Sequence, residues 1–113
     1  MAASPRNVEV YETPDGGAPF DDWFVKLKAK DKKAAERIDA RIANVRRGVL
    51  GDIKSVGDGM IELRLDFGPG YRIYCIDDGA NMLIFCAGRK QEQGRDIRAA
   101  KDYLEMYKGE EDE

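Results

Sequence analysis

The residues best suited to chemistry are charged side chains that alternate with apolar ones in two neighbouring stretches. Residues 61–67 read IELRLDF and residues 71–75 read YRIYC. Alternation with a period of two predicts β-strands that bury one face and leave the other in water. We expect function on that exposed face, which would carry Glu62, Arg64, Arg72 and Tyr74.

Such a cluster could act on a phosphodiester. Arginines aimed at one place can bind the phosphate and stabilise negative charge that develops on it, and a lysine or tyrosine can move protons. Because RNA supplies its own nucleophile, the 2′-hydroxyl, its cleavage requires neither histidine nor metal. Ion pairing across the strands is the alternative role of the two arginines, worth about 0.2–1 kcal/mol for each pair. Their carboxylate partners would be Glu62 and Asp66.

The residue types that are missing exclude several other chemistries. The sequence has no histidine, which removes the commonest general base together with Ser-His-Asp and Cys-His nucleophilic schemes. It also has no Walker A motif and no glycine-rich loop that opens a helix in a dinucleotide-binding context. Its two cysteines, Cys75 and Cys86, do not suggest a zinc site and are expected to be buried free thiols. We therefore expect neither a metal nor a cofactor.

The charge is distributed unevenly along the chain of 113 residues, a length typical of one domain. Residues 1–25 carry a net charge of −4, residues 26–101 carry +6 and residues 102–113 carry −5. A cationic body with acidic ends is compatible with phosphate contact, although ordinary solvated helix faces would produce the same charges. Because no long apolar run or secretion-type N-terminus is present, we expect a cytoplasmic protein without membrane contact.

Periodicity and turn residues predict the first elements. Residues 8–12 alternate and predict a short strand, and apolar residues spaced i, i+3, i+4, i+7 over 20–27 predict an amphipathic helix. Asp31 is a suitable N-cap for a second helix over 31–47, which Gly48 would end. Two helices joined so closely predict a helical hairpin. Residues 49–59 are expected to form a loop.

The second half predicts an antiparallel meander and a last helix. Glycine-containing turns at 68–70 and 77–79 divide residues 61–90 into three strands, and residues 91–107 have helical spacing. The predicted order is β-α-α-β-β-β-α. This is an α+β fold in which an antiparallel sheet packs against a helical hairpin and a C-terminal helix, with the helices on one sheet face. A single domain would span 8–107, with disordered ends at 1–7 and 108–113.

A combined pattern in the second half resembles the RelE/ParE toxin superfamily, in particular its HigB-like "addiction module killer protein" branch. The pattern is ELR at 62–64, GPGYRIY at 68–74, GRK at 88–90, and Gln93 followed by Asp96 and Ile97. The resemblance covers roughly residues 8–107. It implies a RelE-like fold and the toxin of a type II toxin–antitoxin system, a ribosome-dependent, metal-independent mRNA endonuclease that inhibits translation. The implied partners are mRNA on the ribosome and a small, adjacently encoded helix-turn-helix antitoxin, with operator DNA contacted only through the toxin–antitoxin complex.

The resemblance also implies catalytic roles for matching residues. Arg64 and Arg72 would bind phosphate and stabilise charge in the transition state. Lys90 would bind phosphate or act as a general acid, and Glu62 is a possible base.

Three further residues are expected to bind the substrate. Lys54 lies where relatives often carry a functional lysine. Tyr74 is preferred to Tyr71 because strand parity places it on the exposed face. Arg89 stands where this branch commonly has an acidic residue, which makes the expected site more cationic.

Two other functions stay open at this stage. A ParE-like protein would share the fold but inhibit DNA gyrase by binding it. A non-catalytic RelE-fold protein would keep only an interaction surface. The cationic face favours the endoribonuclease.

Overall fold

The computed structural model describes residues 4–111, which form three helices and a five-stranded sheet. The helices are α1 (Pro19–Lys30), α2 (Lys32–Arg46) and α3 (Gln93–Glu111). The strands are β1 (Asn7–Val10), β2 (Ile53–Gly57), β3 (Met60–Leu65), β4 (Tyr71–Asp77) and β5 (Asn81–Arg89). One turn of 3₁₀ helix, Lys90–Glu92, joins β5 to α3. The predicted α+β class is confirmed.

The sheet is mixed, with strand order β1-β5-β4-β3-β2. Strands β3, β4 and β5 are antiparallel neighbours, as predicted for the meander, and β2 extends the antiparallel part beside β3. Strand β1 instead runs parallel to β5, with Asn7 beside Asn81 and Val10 beside Ile84. The prediction of a purely antiparallel sheet is therefore wrong at this edge. A pairing between the first and last strands depends on contacts distant in sequence, which local alternation does not encode.

Strand β2 was predicted to be part of a loop. Four of its five residues are exposed, and it ends at Gly57, so it lacks the apolar alternation that marks a half-buried strand. Its strand character comes from backbone pairing with β3, in which Ile53 lies beside Leu63 and Lys54 beside Glu62. A polar edge strand of this kind is specified by its neighbour rather than by its own sequence.

The α1–α2 hairpin has the predicted caps. The Asp31 side chain accepts a hydrogen bond from the backbone N–H of Ala34 at 3.1 Å, which satisfies one free donor at the start of α2. After α2, Gly48 adopts a φ of 93°, a left-handed conformation that glycine enters without a steric penalty. The hairpin covers one sheet face with an apolar core that includes Phe20, Ile38, Val45, Leu63, Ile73 and Ile84.

Helix α3 covers the opposite face, so the expectation that all helices share one face is wrong. Ala100 and Leu104, one turn apart on α3, are buried against Phe85 of β5 and Met60 of β3. Helices on both faces bury the sheet completely at its centre. This second layer has a direct consequence for the predicted site.

An extra residue in β5 changes which face its side chains occupy. Tyr74 lies opposite Cys86 while Cys75 lies opposite Ile84, which leaves Phe85 without a counterpart in β4. Such a β-bulge shifts the alternation by one residue. Beyond it, Gly88 faces α3 and Arg89 lies beside Tyr71, on the hairpin side.

Cys75 and Cys86 are buried free thiols, as predicted. Burial raises the pKa of Cys86 to about 12 and also raises the pKa of Cys75, so neither thiol forms a reactive thiolate at neutral pH.

The ends are more ordered than predicted. Helix α3 continues to Glu111, so residues 108–111 are helical. Before β1, the Arg6 guanidinium donates two hydrogen bonds of 3.1 Å to the Asp77 carboxylate. Residues 1–3 and 112–113, also predicted to be disordered, lie outside the described residues. Within residues 4–111, the helices are too short or too polar to cross a bilayer.

Candidate functional site

Five of the seven predicted site residues lie on the sheet face that α3 covers. Lys54, Glu62 and Tyr74 form one row across β2, β3 and β4. Arg64 and Arg72 form the next row and lie directly opposite each other. We call four of these residues the polar face: Glu62, Arg64, Arg72 and Tyr74. Alternation alone predicted this grouping correctly.

The polar face was expected to be in water, and this is wrong for three of its four residues. Glu62 and Arg72 are each 1% exposed, and Tyr74 is completely buried. The start of α3 lies over them, where Gln93 donates hydrogen bonds of 3.1 and 3.3 Å to the two carboxylate oxygens of Glu62. Polar residues that alternate along a strand predict a solvent-exposed face. A helix can cover that face instead when its own polar side chains form hydrogen bonds to the strand residues.

Glu62 lies between two guanidinium groups. Its Oε1 is 3.9 Å from the Nε of Arg64 and 3.9 Å from the Nε of Arg72. Arg72 Nη1 also donates a 3.0 Å hydrogen bond to Asp66 and a 2.9 Å hydrogen bond to the carbonyl of Tyr71. The ion-pairing role that was the alternative for these arginines is thus present. It neutralises two like charges that would otherwise face each other across the strands.

The interface between the polar face and α3 has polar atoms without partners. Among the described residues, four buried side-chain atoms lack a hydrogen bond: Arg64 Nε, Arg72 Nε, the Tyr74 hydroxyl and Asp96 Oδ2. Each such group costs about 1–3 kcal/mol relative to a satisfied one. Burial, together with the nearby Glu62 charge, raises the pKa of Tyr74, so this phenol stays neutral at physiological pH.

Asp96 and Gly88 form a close contact beneath α3. A side chain at Gly88 would overlap Asp96 Oδ2 and come within 2.9 Å of its Cγ, so glycine is required while Asp96 keeps this position. Burial raises the pKa of Asp96, although the neighbouring Arg95 partly opposes the shift. Neither Gly88 nor Asp96 was assigned a role from sequence. The available signal was a glycine inside a strand, which often marks a close approach.

Arg64 is the part of the polar face that solvent reaches. Its side chain is 33% exposed and lies 3.8 Å from the Asp52 carboxylate. Arg64 is also one of the residues that line a groove of about 410 Å³ between α2 and the end of β3, which we call the arginine groove. Its charged lining residues are Arg37, Arg41, Asp52, Arg64 and Asp66.

Arg41 builds one wall of the arginine groove and was not predicted to have a specific role. Its guanidinium donates hydrogen bonds to the carbonyls of Leu50 at 3.0 Å, Asp52 at 2.6 Å and Arg64 at 2.6 Å. Burial lowers the pKa of Arg41, although the nearby Asp52 carboxylate opposes this shift. The guanidinium stays charged in either case. Arg41 therefore fixes the loop before β2 against the end of β3.

The remaining two predicted residues lie away from the polar face. Arg89 is on the hairpin side, half-exposed, with its Nε 3.6 Å from Glu92. Lys90 is exposed in the 3₁₀ turn, where its backbone N–H donates to the carbonyl of Gly70 at 3.0 Å. The structure thus separates these cations from Arg72, although all of them lie at the same end of the sheet. Within residues 4–111, no three acidic or cysteine side chains are grouped as a metal site.

An uncharacterized protein of Haemophilus influenzae is 46% identical to this chain over 83 residues, which cover 73% of the chain and 82% of that protein. The chain belongs to the family of this Haemophilus influenzae protein. No family model matches the sequence, and no solved structure does.

Proposed function

We propose that this protein is a toxin of the RelE/ParE superfamily, of the HigB-like kind, that cleaves mRNA on the ribosome and is neutralised by a small antitoxin. The proposal starts from the sequence pattern described above. The observation that carries it further is the pair of arginines at directly opposite positions on β3 and β4.

This pair is costly for a sheet. Like charges facing each other across two strands destabilise the pairing, and burying Arg72 adds a desolvation penalty. Glu62 and Asp66 compensate only in part, because the Nε atoms of both arginines lack a hydrogen bond. Arrangements that cost stability in this way are more often found at functional sites than elsewhere.

The burial of Glu62 and Arg72 changes the proposed roles. Arg64, which reaches the arginine groove, would bind the scissile phosphate and stabilise its developing charge. Glu62 and Arg72 would act through Arg64 as positioning residues, since their own side chains do not reach solvent. Asp66 and Asp52 are 60% and 55% exposed and line the same groove, and we assign to Asp66 the acceptance of a proton from the 2′-hydroxyl.

In this scheme the 2′-oxygen attacks phosphorus and the bond to the 5′-oxygen breaks. The products are a 2′,3′-cyclic phosphate and a 5′-hydroxyl. Lys90, the exposed lysine at this end of the sheet, would give the leaving oxygen its proton. Lys54, exposed on the edge strand β2, would bind a neighbouring phosphate.

Inducible expression in a bacterium tests the proposal. We expect growth arrest, rapid loss of protein synthesis and mRNA cuts that require translating ribosomes. Arg64→Ala should reduce cleavage by about 100-fold or more, as expected when a group that stabilises transition-state charge is removed. Arg98→Ala is the matched control, because Arg98 is exposed on α3 and makes no ion pair within residues 4–111. Arrest with DNA damage and intact mRNA would point instead to inhibition of gyrase.

One observation favours a second candidate, a non-catalytic RelE-fold interaction protein. Glu62, Arg72 and Tyr74 are closed off by α3, which leaves few groups of the polar face for chemistry. Unaffected growth on expression, with a stable and folded protein in the cell, would support this candidate over the toxin.

A further inference from the structure

A second groove, of about 440 Å³, lies on the hairpin side at the same end of the sheet. It is bounded by the last two turns of α1, by the turn at residues 68–70 and by the ends of β4 and β5. We call it the aromatic groove, because Trp23 and Tyr71 form its floor together with Leu27.

The floor of the aromatic groove is formed by aromatic and apolar side chains. Tyr71 is 4% exposed, and the Trp23 ring meets it nearly edge-on with 6.0 Å between ring centroids. Trp23 and Leu27 are one turn apart on α1, and both are only partly buried. The Trp23 ring is thus partly exposed and packs against the buried Tyr71 ring, an arrangement suited to stacking on a planar ligand.

The rim of the groove carries three cations, Lys26, Lys30 and Arg89, and two carboxylates, Asp31 and Glu92, so its net charge is positive. Lys26 and Lys30 are exposed, and neither forms an ion pair with a carboxylate within residues 4–111. Arg89 adds a third cation, and its partner Glu92 is shared with Arg95 at 3.0 Å. Excess positive charge around an apolar floor fits a ligand that joins a planar ring to an anion.

The aromatic groove and the arginine groove have no lining residue in common, but a chain of ring contacts links their walls. The Tyr71 ring lies 5.2 Å from the Phe67 ring, and the Arg37 guanidinium lies over Phe67 at 4.1 Å from its centroid. Phe67 and Arg37 both line the arginine groove, where Arg64 is exposed. Partly exposed rings, Trp23 and Phe67, and cations therefore lie on both sides of the turn at 66–70. Single-stranded nucleic acids bind to surfaces of this kind, with bases stacked on rings and phosphates held by cations.

We propose that the aromatic groove binds one nucleobase and its phosphate from a single-stranded RNA whose neighbouring phosphate is held at Arg64. The base stacks against Trp23, and Lys26 and Lys30 hold the phosphate. The link to Arg64 rests on the proposed function, whereas nucleotide binding in the aromatic groove does not.

Trp23 is the only tryptophan of the chain, so its fluorescence reports directly on this groove. Titration of the purified protein with a uridine RNA hexamer should quench the emission. We expect Lys26→Ala combined with Lys30→Ala to weaken binding roughly ten-fold and to reduce the salt dependence of binding by about one phosphate contact. The matched control is Lys28→Ala, on the same turns of α1 but outside the groove, which should bind like the unaltered protein.

The stacking contact has its own test. Trp23→Leu keeps an apolar side chain but removes the ring, and it should weaken binding of a fluorescently labelled hexamer roughly ten-fold. The proposal is overturned if the hexamer does not quench Trp23, if Lys28→Ala weakens binding as much as the double variant, or if hexaglutamate quenches and competes as well as the RNA.

The two proposals can fail separately. If RNA binds in the aromatic groove but expression causes no growth arrest, the nuclease proposal fails and the proposed binding site stands. The opposite outcome has two parts. The RNA hexamer does not quench Trp23 fluorescence, and the variant with Lys26→Ala and Lys30→Ala still arrests growth and cleaves mRNA on ribosomes. That outcome would refute nucleotide binding in the aromatic groove and support the nuclease.

Discussion

Helices cover both faces of the sheet, but only one of the faces also buries charged side chains near its centre. Beneath the α1–α2 hairpin, fully buried side chains such as Ile38 and Ile73 are apolar. Beneath α3, the equally buried Glu62, Arg72 and Tyr74 are polar or charged. The first face contributes stability through area removed from water, about 25 cal/mol for each Å². The second also has apolar contacts, among them Phe85 with Leu104, but its polar groups gain little by burial and depend on whether each atom finds a partner.

This difference indicates how stability and function are divided in the molecule. We expect the hairpin side to contribute more to stability than the polar face. The α3 side tolerates buried atoms without partners, and it contains the residues that the sequence singled out for chemistry. Measurements that compare matched positions on the two faces can test this division.

The largest effect is expected from Arg72→Met. It leaves the Glu62 carboxylate buried without one of its cations, and loss of one partner of a buried pair typically costs about 3–5 kcal/mol of unfolding free energy. The adjacent Ile73→Val on the hairpin face should cost only about 0.5–1.5 kcal/mol. Urea unfolding of the purified variants measures both. Because of this cost, toxicity lost in a variant of Arg72 would not by itself implicate that arginine in catalysis.

The double variant Glu62→Met with Arg72→Met removes both charges and should recover most of the lost stability. Equal unfolding free energies for Arg72→Met and Ile73→Val would mean that the two faces respond alike, which contradicts the division.

A smaller effect is expected from Gly88→Ala, because the added methyl group overlaps the Asp96 carboxylate. Overpacking of this kind costs about 1–3 kcal/mol. Adding Asp96→Ala removes the overlapping atoms and should restore part of the loss. Gly94→Ala, in the first turn of α3 with nothing closer than 3.7 Å, is the control and should stabilise the protein by about 0.5–1 kcal/mol. A Gly88→Ala protein as stable as the control would show that α3 does not hold Asp96 against β5.

The smallest expected effect is a pH dependence that comes from Asp96. Burial raises its pKa in the folded state above that of the unfolded chain, so the folded state binds this proton more tightly. The free energy of unfolding should therefore decrease as pH rises from the pKa of Asp96 in the unfolded chain through its higher pKa in the folded protein. This loss of stability should persist at neutral pH. Asp96→Asn should remove this contribution.

We thus expect Asp96→Asn to gain in stability relative to the unaltered protein as pH increases from about 4 to 7. Urea unfolding across this range measures the difference. Asp102→Asn, an exposed change on the same helix, serves as the control. A constant difference between Asp96→Asn and the unaltered protein at all pH values would refute the prediction.

Much of the fold was predictable because local patterns and tertiary structure agree. The apolar stripes of the three helices, the Asp31 cap and the meander all follow from residues close together in sequence. Strand β2 and the parallel pairing of β1 were not predictable, because each is specified by a neighbour distant in the chain. The placement of α3 was missed for the same reason.

The site was predictable in its grouping but not in its accessibility. A period of two correctly placed Glu62, Arg64 and Tyr74 on one face. It could not show that Gln93 would supply hydrogen bonds and allow a helix to cover them. Arg89 was placed with the wrong neighbours because nothing in the local sequence signals the bulge at Phe85.

That bulge decides which side of the sheet the end of β5 presents. If the same nine residues alternated regularly from Ile84 onward, Gly88 would face the hairpin and Arg89 would face Asp96 under α3. The extra residue at Phe85 thus keeps a cation beside the aromatic groove and leaves glycine in the space that only glycine fits. In this strand, the presence of the bulge therefore matters as much as the identity of any one residue.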